Sequence, residues 1–189
     1  MKGMGIYMKR IAQFEKVSLK QFQSAWLDTF YSNEANQSEA LIRTIKDIYD
    51  MIQLPKRATK GSAGYDFYSP LSFTLQPGEG IKIPSGIRVR IDEGWVLKCY
   101  PRSGLGFKYR LQMNNTVGII DSDYYESDNE GHIFSKITND SKEGKSVTVE
   151  MGMGFMQGIF VEYGITADDE AETARNGGFG STTQKDNHA

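Results

Sequence analysis

Ile87-Arg88-Val89-Arg90-Ile91 alternates apolar and charged residues with a period of two. That is the pattern of a strand with one face in a core and the other facing out. The turn residues Pro84-Ser85-Gly86 precede it. Further along, Trp95–Tyr100, Val117–Ile120, Val147–Val149 and Gly158–Tyr163 read as strands, with turns at Pro77-Gly78 and Glu143-Gly144. Many short strands at this spacing predict an all-β sandwich or barrel over residues 55–165.

The flanks differ in character. In residues 1–54, a short strand over Arg10–Val17 precedes Ser18 and Gln21, a capping-box pair that opens a helix to about Phe30. After a polar loop, Ser32 to Ser38, the residues Leu41, Ile42, Ile45, Ile48, Tyr49 and Ile52 recur at three- and four-residue spacing, predicting a second helix that ends before Pro55. Residues 166–189 are polar, with an acidic run at Asp168, Asp169, Glu170 and Glu172, and predict a mobile arm. The expected organisation is therefore a helical extension (1–54), a β-domain (55–165) and a C-terminal arm (166–189).

Composition narrows the function. The 189 residues carry a net charge of −2, which argues against a general nucleic-acid binder. A single cysteine, Cys99, excludes an intramolecular disulfide. No apolar run reaches membrane-spanning length and no secretory signal is evident, so the expected compartment is the cytoplasm. His132 and His188 read as a loop and a tail residue, and they lack partners at zinc-ligand spacing.

Five segments carry candidate chemistry. Ala63-Gly64-Tyr65-Asp66 places a carboxylate that fits either a metal's water shell or a simple turn. Pro101-Arg102-Ser103-Gly104 leaves a strand, and its amides and hydroxyl suit a phosphate if a helix starts there; loop punctuation explains the glycines equally well. Asn115 leads into Gly118-Ile119-Ile120-Asp121-Ser122-Asp123-Tyr124. Packing explains poorly an Asp at the end of an apolar strand, and Asp121 suits a general base. The plainer reading is a hairpin with solvated aspartates. In Met151-Gly-Met-Gly-Phe-Met-Gln157-Gly158 the methionines read as core, and Gln157 is the one polar residue of an apolar run. Arg175-Asn176-Gly177-Gly178-Phe179-Gly180-Ser181-Thr182 combines a guanidinium, glycines that admit close backbone approach, an aromatic ring and two hydroxyls. It reads as a flap over a nucleotide phosphate chain.

In this order, the five segments resemble the motifs of the trimeric dUTPase family, over roughly residues 54–182. The resemblance implies a β-barrel with jelly-roll character and a homotrimer whose active sites are shared by three chains. It also implies hydrolysis of dUTP to dUMP and pyrophosphate with Mg²⁺. Asp121 would then be the base that activates water, and Tyr124 would pack against deoxyribose. The hairpin from Asn115 through Gly118, Ile119 and Ile120 would read uracil. Ser103, Gly104 and Gln157 would hold phosphates, supported by Arg102. Asp66 would help organise water around a magnesium held mainly by substrate phosphates. Arg175, Gly180, Ser181 and Thr182 would grip the γ-phosphate, with Phe179 over the base. Uracil's acceptor–donor–acceptor edge complements a hairpin backbone, whereas cytosine would leave buried polar groups unpaired at about 1–3 kcal/mol each.

The chain departs from the family pattern at several points. Tyr125-Glu-Ser-Asp-Asn-Glu-Gly131 replaces the usual Arg-Gly-Glu with what reads as a longer acidic hairpin. Gly154 stands where a basic residue is frequent, and Met156 where Ala is usual. The fifth motif is short, and residues 1–54 resemble an extension of some Gram-positive bacterial and phage forms. The competing readings are a dCTP deaminase-type enzyme on the same fold, disfavoured by Asp121, and a nucleotide-gated module that switches a regulatory protein partner.

Overall fold

The computed structural model describes residues 8–32 and 38–171. The chain opens with strand β1 (Ala12–Lys16) and helices α1 (Leu19–Phe30) and α2 (Glu39–Met51). Strands β2 (Lys56–Arg57), β3 (Tyr65–Tyr68), β4 (Phe73–Leu75), β5 (Gly80–Pro84), β6 (Ile87–Ile91) and β7 (Trp95–Pro101) follow. Helix α3 (Ser103–Tyr109), strands β8 (Leu111–Met113) and β9 (Gly118–Ile120), and a 3₁₀ turn (Ser122–Glu126) come next. Strands β10 (Phe134–Asn139), β11 (Val147–Val149) and β12 (Gly154–Glu162) complete the order.

The protein is mainly β, with jelly-roll-like sheets. Among the described residues the strands form four ladders rather than one closed barrel: β2-β3-β12-β7-β9, β5-β10-β8, β1-β6 and β4-β11. Ile87, Val89 and Ile91 point into a core shared with Phe67, Ile83, Leu97, Cys99, Leu111, Ile137, Val147 and Phe155. The arginines between them are not simply solvated. The side chain of Arg88 is only 17% exposed and lies against Tyr125.

The extension is joined to the β-domain along two fronts. Strand β1 pairs antiparallel with β6, and Phe14 packs against Tyr65, Phe67 and Phe160. Behind it, α1 and α2 close a second core around Val17, Phe22, Trp26 and Ile45. Gly86 sits at the seam with φ 71°, and a Cβ there would lie 2.3 Å from Ile52 Cδ1 and 3.2 Å from Phe22. Both the conformation and the space require glycine. Ser18 caps α1 as expected, its hydroxyl accepting from Gln21 N–H. The reciprocal bond to the Ser18 amide comes from Glu130, 112 residues away, not from Gln21.

Three expectations need correction. The segment from Asn115 to Ile120 is not a ladder-paired hairpin, because β8 pairs with β10 while β9 pairs with β7. It is a turn that carries the chain between sheets, with Thr116 at φ 64°. Residues 125–131 form no hairpin either, but continue the 3₁₀ turn and fold back onto β6. Of the methionines, Met156 is core, whereas Met151 and Met153 are exposed because they lie in the turn that precedes β12. His132 does lie in a loop, ahead of β10, but it is fully buried, and its Nε2 accepts from Gly86 N–H at 2.8 Å.

Candidate active site

The five-stranded sheet assembles three of the five segments. Asp66 on β3 lies directly opposite Gln157 on β12, which lies opposite Tyr100 on β7. Directly opposed residues share a face, and so does the residue two further along a strand. Arg102, two beyond Tyr100, therefore rises on the side of Asp66, and its Nε reaches Asp66 Oδ1 at 3.2 Å. The neighbours of these residues, Phe67, Met156, Gly158 and Cys99, are buried on the opposite face. The single polar residue in the apolar run of β12 is thus the one that faces away from the core.

Two glycines make room for this row. A Cβ on Gly64 would come within 2.8 Å of Gln157 Oε1, and one on Gly154 within 2.8 Å of Arg102 Nη1. The Gln157 side chain donates to Pro101 O at 3.4 Å, tying β12 to the exit of β7. There α3 begins, with Arg102 as its N-cap and Ser103 and Gly104 exposed in the first turn. First-turn amides have no intrahelical acceptor and suit an oxyanion.

The remaining described site residues lie elsewhere. Gly118 pairs with Cys99, Ile119 with Lys98 and Ile120 with Leu97. Asp121, half-buried, follows as the N-cap of the 3₁₀ turn, opposite the Val96 end of β7. From there to Pro101 is five residues, roughly 16 Å at ~3.3 Å per residue. Within one chain Asp121 therefore stands far from Ser103 and Arg102. Tyr124 is buried, its hydroxyl donating to His132 O and accepting from Asn129, both at 2.8 Å. Asn115 is exposed on the turn between sheets. Arg175, Phe179, Gly180, Ser181 and Thr182, like His188, lie outside the described residues.

Among the described residues no group of three or more His, Cys, Asp or Glu side chains is arranged to hold a metal ion. Asp66 is engaged by Arg102. This donor set fits a metal that arrives on phosphate oxygens and meets the protein through water, not one caged by side chains. Sequence reasoning passed over Gly64 as space for Gln157 and Glu130 as a cap for Ser18. The first had a local signal in the Ala63-Gly64-Tyr65-Asp66 segment, and the second had none.

The fold is shared with the dUTPase of Streptococcus mutans, at 34% identity and a TM-score of 0.53 over 60% of this chain and 88% of that one. It is also shared with the dUTPase of Staphylococcus bacteriophage 80alpha in complex with dUpNHpp, at 25% identity and a TM-score of 0.50 over 69% and 92%. The deoxyuridine 5'-triphosphate nucleotidohydrolase of Lactococcus lactis is 41% identical over 134 residues, 69% of this chain and 88% of its own length. Residues 50–183 match the dUTPase family model. The chain belongs to the dUTPase family, and the helical part of its extension lies almost wholly outside the matched region.

Proposed function

We propose that this protein hydrolyses dUTP to dUMP and pyrophosphate, limiting uracil in DNA and supplying dUMP. The observation that carries this reading is the row of Asp66, Gln157 and Arg102 beside the α3 start, in a chain of the dUTPase family. Gln157, Ser103 and the Gly104 amide bind the phosphates. Arg102, held by Asp66, adds fixed positive charge. Asp121 takes a proton from the attacking water, worth about 10²–10⁴-fold. The backbone of Asn115 and Gly118–Ile120 reads uracil, and the Tyr124 ring excludes a 2′-hydroxyl. Arg175, Gly180, Ser181 and Thr182 grip the γ-phosphate, and Phe179 covers the base. Mg²⁺ bound to the triphosphate would neutralise charge on its oxygens, with Asp66 reaching its water shell.

The register supports a homotrimer with shared sites. A base and a phosphate grip must meet within a few ångströms of one phosphorus, yet one chain separates them by roughly 16 Å at ~3.3 Å per strand residue. A second copy brings Asp121 against a neighbour's Ser103 and Arg102. Strand β9 forms the edge of its sheet and presents Ile119 at 50% exposure, and α3 presents Phe107 at 93%. Exposed apolar groups of this size suit burial against another copy. Among the described residues no helix is long and apolar enough to cross a membrane, and the proposed place of action is the cytoplasm.

The test is pyrophosphate release from dUTP, UTP, dCTP and dTTP in parallel, with Mg²⁺ and with chelator. Release from dUTP alone, lost with chelator, is expected. No release from any of them would mean a binding site without working catalysis and would favour the alternative, a nucleotide-gated switch for a protein partner, which catalysis itself does not exclude.

A further inference from the structure

The two parts of this chain that depart most from the minimal family pattern, the N-terminal extension and residues 125–131, meet each other. Ser18 N–H donates to Glu130 Oε2 at 2.7 Å and its hydroxyl to Oε1 at 2.6 Å. Glu130 also faces Arg88 at 3.9 Å. Partial burial works to raise the Glu130 carboxyl, but the Ser18 hydrogen bonds and Arg88 outweigh it and hold it below the usual range.

The same elements grip Tyr125. The Arg88 guanidinium lies 3.5 Å from its ring centre and donates to its carbonyl at 2.9 Å. Its hydroxyl accepts from Arg90 at 3.1 Å and donates to Glu15 of β1 at 2.7 Å. Gly131, next to Glu130, lies at φ 67°, and a Cβ there would be 2.8 Å from both Tyr124 O and Tyr125 Cα. The stretch from Ser122 to Gly131 is therefore packed backbone against backbone and pinned at two points by the extension. Asp121 is the N-cap of that stretch, and Tyr124 is its third residue.

We infer that Glu130, through its clasp on Ser18, is a positioning residue that holds the Asp121–Tyr124 turn in its working geometry, so that the N-terminal extension is part of the catalytic apparatus. Both groups of the clasp are at the surface, so its loss spares the cores. A displacement of about 1 Å in a positioned group costs as much as 10²-fold in rate. The inference rests on the roles proposed above for Asp121 and Tyr124.

The test compares Glu130→Ala, Glu130→Gln and Ser18→Ala with the intact chain, reading kcat and KM for dUTP and UTP together with amide hydrogen exchange. In Glu130→Ala, kcat for dUTP should fall about tenfold with KM within about twofold, the preference for dUTP over UTP should narrow, and amides of residues 122–131 should exchange faster. Glu130→Gln, which keeps an acceptor for Ser18, should recover most of the loss. Unchanged kcat and discrimination in Glu130→Ala would overturn the inference, as would exchange that rises uniformly over the chain. Asp121→Asn is measured alongside. Were it fully active, the assignment of the base would fall, and the exchange pattern would then decide the clasp alone: faster exchange confined to 122–131 would support it, and no change would overturn it.

Discussion

The guanidinium of Arg102 occupies the space over Gly154 that a side chain would fill, with Nη1 2.8 Å and Cδ 3.1 Å from where a Cβ would stand. The position where the family often carries a basic residue is here bare backbone, and Arg102 lies across it to meet Asp66. Gly154→Arg would supply the frequent family residue and yet displace the guanidinium already there. The Arg102 side chain is 45% exposed, so the lost ion pair itself contributes little to stability. The effect should fall on activity: kcat/KM for dUTP reduced by about tenfold or more, with the melting temperature little changed. Steady-state kinetics beside a thermal melt checks this, and undiminished turnover would show that Arg102 has no part in binding or catalysis.

Asp121→Asn removes the proton acceptor but keeps the size of the side chain. Turnover should fall by about 10²–10⁴-fold while dUTP still binds with nearly unchanged affinity. Single-turnover kinetics and equilibrium titration of the nucleotide separate the two. The variant should also complement in mixed trimers: Asp121→Asn subunits combined with subunits lacking the Ser103 and Arg102 side chains should regain a fraction of the activity, because the register separates the two groups within one chain and the proposed shared site would take them from different chains.

Periodicity made much of the fold legible. The two-residue alternation at Ile87–Ile91 and the helical spacing from Leu41 to Ile52 each report a local rule, and the elements formed there. The row of Asp66, Gln157 and Arg102 was legible only as separate motifs, since cross-strand register depends on the pairing of Gln157 with Tyr100 and with Asp66, 57 and 91 residues apart in the chain. What the sequence could not reveal was long-range polar pairing. Gln21 satisfied the capping-box pattern, but Glu130 took the Ser18 amide, because a carboxylate with two oxygens outcompetes a neutral amide for two donors. The burial of His132 was hidden for a similar reason: the extension covers it, and Phe22 lies 6.3 Å from its ring.

Burial pushes His132 down to about 3, with nearby Lys82 acting in the same sense and Glu130 opposing. The folded protein therefore holds this imidazole neutral, while the unfolded chain protonates it near pH 6.5. The unfolded state binds more protons below that value, so the stability due to neutral His132 is full above about pH 6.5 and is lost as pH falls toward 3. Between pH 6.5 and 5 the loss should be about 1.5–2 kcal/mol. Urea unfolding at several pH values should show it. His132→Gln keeps an acceptor for Gly86 N–H and cannot titrate; it should flatten the slope, and a slope unchanged in that variant would assign the acid sensitivity to other groups.

Cys99 lies beneath Gly118, its partner across the β7–β9 ladder, and burial pushes its thiol up to about 12. Thiolate is the reactive form, so the folded protein should resist thiol reagents at pH 8 and label only on unfolding. A Cβ on Gly118 would stand 3.1 Å from Cys99 Cβ and 3.3 Å from Met113 Cε. The methionine end can swing aside, but the cysteine Cβ is fixed to its backbone, so β9 must lift off β7. Gly118→Ala should destabilise the fold by about 1–3 kcal/mol. Because β9 leads directly into Asp121, the same lift should lower kcat and admit reagent to Cys99. Labelling rate and turnover measured on one preparation should change together; slow labelling with full activity would mean that the ladder absorbs the methyl group without moving.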